Sequence, residues 1–81
     1  MLTIKVLGPG CANCKRLEQM TRREVENLGL DAQIEKITDY GQILAFGIMS
    51  TPGLVINDTV VAYGRIPSTH EIADWLTAAQ N

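Results

Sequence analysis

Cys11 and Cys14 are the only two cysteines in the chain, and only Ala12 and Asn13 separate them. They fall where an apolar run, Ile4-Lys5-Val6-Leu7, gives way across Gly8-Pro9-Gly10 to a helical pattern. On a helix, positions i and i+3 share a face with Cβ atoms about 5 to 6 Å apart, within reach of a disulfide after a small rotamer change. The spacing describes a dithiol that opens and closes without moving its backbone. The nucleophile in disulfide exchange is the thiolate, and an ordinary cysteine of pKa about 8.5 is only slightly ionised at neutral pH. Unpaired N–H groups of a first helical turn favour an anion by roughly 0.3 to 1 kcal/mol, up to about 2 when partly buried, which lowers a thiol by up to about 1.5 pKa units. Cys11, at the helix start, receives that field. Cys14 shares an apolar stripe with Leu17 and Thr21, so it is expected to be less exposed, and burial raises a thiol's pKa. These environments assign different roles: Cys11 attacks a target disulfide, and Cys14 resolves the mixed disulfide. Lys15 adds positive charge nearby and is a candidate modulator of the pair, with a solvated surface lysine as the plainer reading.

The elements that must hold this dithiol are readable along the chain. Residues 2 to 7 carry Leu2, Ile4 and Val6 on one face and Leu7 on the other, as an interior strand does. Gly8-Pro9-Gly10 ends it. From Cys11 on, Cys14, Leu17, Thr21, Val25 and Leu28 recur at helical spacing, while Lys15, Arg16, Glu18, Arg22, Arg23 and Glu26 take the opposite side, and Gly29 supplies a left-handed C-cap. Leu30 to Ile37 alternates apolar and polar residues, which predicts a strand wetted on one side at a sheet edge. Asp39 with Gln42 resembles a capping box, and Ile43, Leu44 and Phe46 before Gly47 predict a short helix. Leu54-Val55-Ile56 and Thr59 to Tyr63 flank Asn57-Asp58, a two-residue hairpin signal. Ser68-Thr69-His70-Glu71 is a second capping box, and Ile72, Trp75, Leu76 and Ala79 form the apolar stripe of a last helix. His70 and Trp75 are read as an exposed first-turn residue and a core residue, without a catalytic role.

The order is β-α-β-α-β-β-α. The opening strand, helix and strand imply a right-handed crossover and a parallel pair, and the hairpin completes a four-stranded mixed α/β sheet flanked by three helices. The turn carrying Cys11 then lies at the carboxyl end of an interior strand, where open α/β sheets place their sites.

Bulk properties narrow the function. A length of 81 residues allows one domain, read as 1–81, with one modest core. Seven basic and nine acidic residues leave a net charge of −2 without a run of like charge, so neither nucleic acid nor an anionic membrane is favoured as partner. Small secreted domains scatter several disulfides, whereas this chain holds two cysteines in one tight motif. That pattern is reactive or metal-binding and fits a reducing cytosol. The first residues lack a signal-peptide pattern, and no apolar run approaches the length of a membrane span. The chain is expected to be cytoplasmic and monomeric, with no cofactor and no metal.

In Gly8-Pro9-Gly10-Cys11-Ala12-Asn13-Cys14-Lys15, Thr51-Pro52-Gly53 and Gly64-Arg65-Ile66-Pro67-Ser68, the chain resembles the thioredoxin superfamily, and the resemblance extends over nearly its whole length. It is most similar to the short bacterial and archaeal members described as glutaredoxin-like or redox-active disulfide proteins. The resemblance implies a thioredoxin-like fold and a thiol-disulfide oxidoreductase acting on protein disulfides, supplied by a thioredoxin-reductase-type electron donor. It implies that Pro52 is cis and brings the Thr51 backbone beside Cys11, where an extended target segment pairs by strand addition. Gly64 and Arg65 would line the same surface. Two departures bear on tuning: Gly10 and Ala12-Asn13 replace the Trp and Gly-Pro of larger thioredoxins. Lys5 stands where those carry a buried acid six residues before the first cysteine, which leaves the proton acceptor unassigned and makes Lys5 a second candidate pKa modulator.

Two other readings use the same cysteines. Small copper carriers also present a cysteine pair after their first strand, but with Met two residues before it and a final strand, where this chain has Pro9 and a final helix. A structural zinc site needs four ligands, and two cysteines with one histidine supply three. A non-catalytic redox-sensing interaction module shares every feature above. A glutathione-dependent enzyme is disfavoured, because no set of charged residues matches the tripeptide's two carboxylates.

Overall fold

Alternation in the first six-residue strand sets the whole architecture. In the computed structural model, which describes residues 1–80, β1 (Leu2–Leu7) sends Leu2, Ile4 and Val6 into one apolar cluster and Leu7 into another. Such a strand needs cover on both faces. The cover comes from α1 (Ala12–Leu28) and α3 (Thr69–Gln80) on one side and α2 (Tyr40–Ala45) on the other. The remaining strands are β2 (Ala32–Ile37), β3 (Gly53–Ile56) and β4 (Thr59–Tyr63), in the order β2-β1-β3-β4. β1 and β2 run parallel, and the other pairs are antiparallel. The fold is therefore the expected thioredoxin-like mixed sheet, with β1 interior and β2 at an edge. Asn81, the last residue of the domain read as 1–81, lies outside the described residues.

Local signals act as their chemistry dictates. Asn57 and Asp58 both take positive φ, 49° and 65°, as a two-residue hairpin turn whose twist matches the strands requires. Ser68 and Glu71 close a complete capping box: the Glu71 N–H donates to Ser68 Oγ at 3.1 Å, and the Ser68 N–H donates to Glu71 Oε1 at 3.0 Å. At α2 the Gln42 N–H donates to Asp39 Oδ2 at 3.0 Å.

Three details differ from expectation. β2 begins at Ala32, not Leu30, because the Leu30 N–H donates to the Val25 carbonyl and closes the end of α1 around left-handed Gly29. The buried stripe of α1 runs through Cys14, Leu17, Thr21 and Glu24, while Leu28 is 41% exposed. A 17-residue helix is about 25 Å long against about 20 Å for a six-residue strand, so its last turn overhangs the sheet. Trp75 packs against the core while only partly buried. Among the described residues, no helix is long and apolar enough to cross a membrane.

Candidate functional site

The site is built where β1 stops. The Gly8 N–H donates to the Ile37 carbonyl at 2.9 Å, extending the parallel ladder one step, and Gly10 turns the chain at φ 101° into α1. Cys11 is the N-cap of that helix, with extended φ and ψ of −67° and 165°. Its carbonyl accepts from the Lys15 N–H at 3.0 Å, and its sulfur accepts from the Cys14 N–H at 3.1 Å. Sulfur thus fills the place an oxygen takes at an ordinary cap. An anion accepts such a bond better than a thiol, and no acidic side chain in the first turn neutralises the helix terminus. Both effects favour Cys11 as thiolate once the pair is reduced.

Cys11 and Cys14 form a disulfide, with Cα atoms 5.0 Å apart. Its two ends have unequal access: Cys11 is exposed and Cys14 is 5% exposed. Gly8 is the reason Cys14 fits. A Cβ on Gly8 would overlap Cys14 Sγ and would lie 3.9 Å from the Thr51 Cβ. In the sequence Gly8 ends the first strand and opens the Gly8-to-Lys15 motif, with no sign of this packing role beyond its position directly after the interior strand, three residues before Cys11.

Antiparallel pairing of Leu7 with Gly53 carries Thr51 and Pro52 to this same end of the sheet. The Thr51–Pro52 peptide bond is cis, Pro52 is buried, and the backbone of Thr51 stands outside the ladder, which begins at Gly53. Gly64 joins them from the far side. Its N–H donates to the Pro52 carbonyl at 2.9 Å, and at φ 76° it packs so closely on Ser50 that a Cβ would overlap the serine hydroxyl. Ser50 was not singled out from sequence, since its contact depends on β4 folding back beside the proline loop.

The three charged candidates separate in space. Arg65 turns its guanidinium to Glu71, making a two-pronged pair at 3.0 and 2.9 Å. That guanidinium, and after it the Ser68 N–H, lowers the Glu71 carboxyl to about 2. Arg65 thus braces the start of α3. Lys5 requires a correction: strand alternation puts it on the α2 face, with Nζ 3.9 Å from Asp58 at the hairpin and 5.5 Å from the Phe46 ring centroid, so its charge is directed away from the cysteines. Lys15 stays exposed in the first turn of α1 and borders a recess beside Cys14. His70 pairs with Asp74 at 3.3 Å on the exposed side of α3. Among the described residues, no group of three or more His, Cys, Asp or Glu side chains is placed to hold a metal ion.

A four-stranded mixed sheet bearing a dithiol at the N-cap of its first crossover helix, with a cis-proline loop alongside, defines a thiol-disulfide oxidoreductase of the thioredoxin type. The chain belongs to the thioredoxin family: the thioredoxin domain model matches residues 2–77. It is 43% identical over 72 residues to a thioredoxin of Methanothermobacter thermautotrophicus, covering 89% of this chain and 94% of that protein. It is 38% identical over 76 residues to a thioredoxin of Methanocaldococcus jannaschii, covering 94% of this chain and 87% of that protein.

Proposed function

We propose that this chain reduces disulfides of other proteins, with Cys11 as the attacking and Cys14 as the resolving thiol. The observation that carries the assignment is the unequal access to the two sulfurs, exposed at the helix cap for Cys11 and 5% exposed for Cys14. The Cys11 thiolate attacks one sulfur of a target disulfide, forming a mixed disulfide and releasing the other target sulfur as a thiolate that takes a proton. Cys14 then loses its proton and attacks Cys11 Sγ. The Cys11–target bond breaks, the second target thiol leaves, and the Cys11–Cys14 disulfide remains. Two electrons pass to the target, whose two released thiolates take protons from solvent, and a reductase-type donor returns the electrons.

The Thr51 backbone, free of the ladder and with its Cβ near Gly8, is suited to pair with an extended target segment. Gly64 keeps that strip narrow, and Pro52 fixes its direction. Arg65 gives two of its five N–H donors to Glu71 and so supports α3, with the rest of its exposed guanidinium still available to the surface beside Gly64. A cytosolic location follows from the need to keep the dithiol reduced. The test is an insulin-type reduction assay on Cys11→Ser and Cys14→Ser, run with a thioredoxin-reductase system and separately with glutathione. Cys11→Ser is expected to abolish reduction and Cys14→Ser to accumulate mixed disulfides. Equal residual activity in the two variants would contradict the roles.

A further inference from the structure

The resolving step needs a group to take the proton of Cys14, and Lys5 lies on the wrong face of the sheet to influence it. Among the described residues, the recess that Cys14 lines on its own face has one carboxylate, Glu18. This recess of about 50 Å³ is lined by Gly8, Cys14, Glu18, Lys36 and Thr38, with Val6, Gly10 and Lys15 completing it. Glu18 is one helical turn after Cys14, on the same side of α1. The sequence pattern assigns Glu18 to the solvent face, yet its side chain is only 16% exposed.

Two cations hold it there. Arg22 Nε donates to Glu18 Oε2 at 2.9 Å, and Lys36 Nζ lies 3.8 Å from Oε1. Lys36 is in register with Val6 across the parallel pair, so its side chain rises on the face that α1 covers. The carboxylate is thereby tied between its own helix and the edge strand, at the wall of the cavity that Cys14 also lines. The recess is large enough for a water molecule, which needs roughly 10 to 15 Å³, and Glu18, Lys36 and Thr38 supply polar partners for one.

We propose that Glu18 is the proton acceptor of the resolving step, taking the Cys14 proton directly or through one water as Cys14 attacks the mixed disulfide. The proposal rests on Cys14 being the resolving thiol. The Cys14 S–H bond breaks, its proton passes to the Glu18 carboxylate, and the Cys14–Cys11 bond forms as the Cys11–target bond breaks. The departing target thiolate is protonated from solvent, and Glu18 returns its proton to solvent. Lys36, Arg22 and Lys15 are the charged groups facing this site.

The test is a stopped-flow reaction of the reduced full chain with 5,5′-dithiobis(2-nitrobenzoate), which releases one coloured thiolate in each step. The first phase, proportional to reagent, reads attack by Cys11; the second, independent of reagent, reads resolution by Cys14. Glu18→Gln is expected to leave the first phase unchanged and to slow the second about 100-fold at pH 6 to 7, the lower end of what a positioned base contributes. The deficit should shrink as pH rises and Cys14 ionises unaided, and Glu18→Asp should recover part of the rate. A charged bystander gives the opposite sign, since removing a negative charge beside a forming thiolate accelerates the second phase. An unchanged or faster second phase, or an equal slowing at every pH, would overturn the proposal. Failure of the first phase in the unmodified chain would instead overturn the dithiol-exchange reading and this proposal with it.

Discussion

The starts of α1 and α3 are the same piece of geometry put to opposite uses. At α3 the N-cap is Ser68 and the third helical residue is Glu71; at α1 the same two positions are Cys11 and Cys14. In both, the backbone N–H of the third residue donates to the cap side chain at 3.1 Å. At α3 the third side chain returns a hydrogen bond to the cap N–H and meets Arg65, so the positive helix terminus is satisfied by a carboxylate. At α1 the third side chain is bonded covalently to the cap, and the first turn has no acid. Opening that disulfide exposes a helix terminus whose available anion is the Cys11 thiolate. One cap is closed for stability, while the other stays incomplete for chemistry.

The largest effect that would break this comparison is Cys11→Ser, which gives α1 the cap of α3. Insulin reduction is expected to disappear, while the urea unfolding free energy of the reduced protein changes little, because serine caps at least as well as a thiol. A large loss of stability would mean that Cys11 is a structural residue. Next, Ser68→Ala removes the oxygen at α3 and is expected to lower stability by about 1 kcal/mol with no change in disulfide reduction. A fall in activity at unchanged stability would tie α3 to the site. A smaller effect follows from Glu71, whose folded carboxyl is lowered to about 2 from an ordinary 4.5. A depressed carboxyl contributes its stability above the unfolded value and loses it as pH falls through the folded one. Glu71→Gln is therefore expected to flatten the acid side of the stability curve between about pH 4.5 and 2, and an unaltered curve would show the Arg65 pair to be inert.

What the sequence conveys is local, and what it withholds depends on register. The Ser68–Glu71 capping box, the Asp39 N-cap, the Gly29 cap, the Asn57-Asp58 turn and the interior character of β1 each rest on a few adjacent residues and have their expected form, while at Asp39 and Gln42 only one of the two bonds of a capping box forms. The exposed cap position of Cys11 and the burial of Cys14 are legible because helix position and stripe are local too. Gly8, Ser50 and Glu18 are different. Gly8 matters because Cys14 folds back over it, Ser50 because Gly64 arrives from another strand, and Glu18 because Lys36 stands opposite in the parallel ladder. Lys5 is the converse case: it holds the position of the buried acid of larger thioredoxins, while strand alternation sends its charge to the α2 face.

The most direct test of the incomplete cap is to titrate the two thiols against each other. The reduced chain, reacted with iodoacetamide across pH and mapped by mass spectrometry, should show Cys11 alkylated first and with the lower apparent pKa. An acid added to the first turn by Ala12→Asp should raise that pKa by opposing the helix terminus. Alkylation of Cys14 before Cys11, or a Cys11 titration that Ala12→Asp leaves unmoved, would contradict the account.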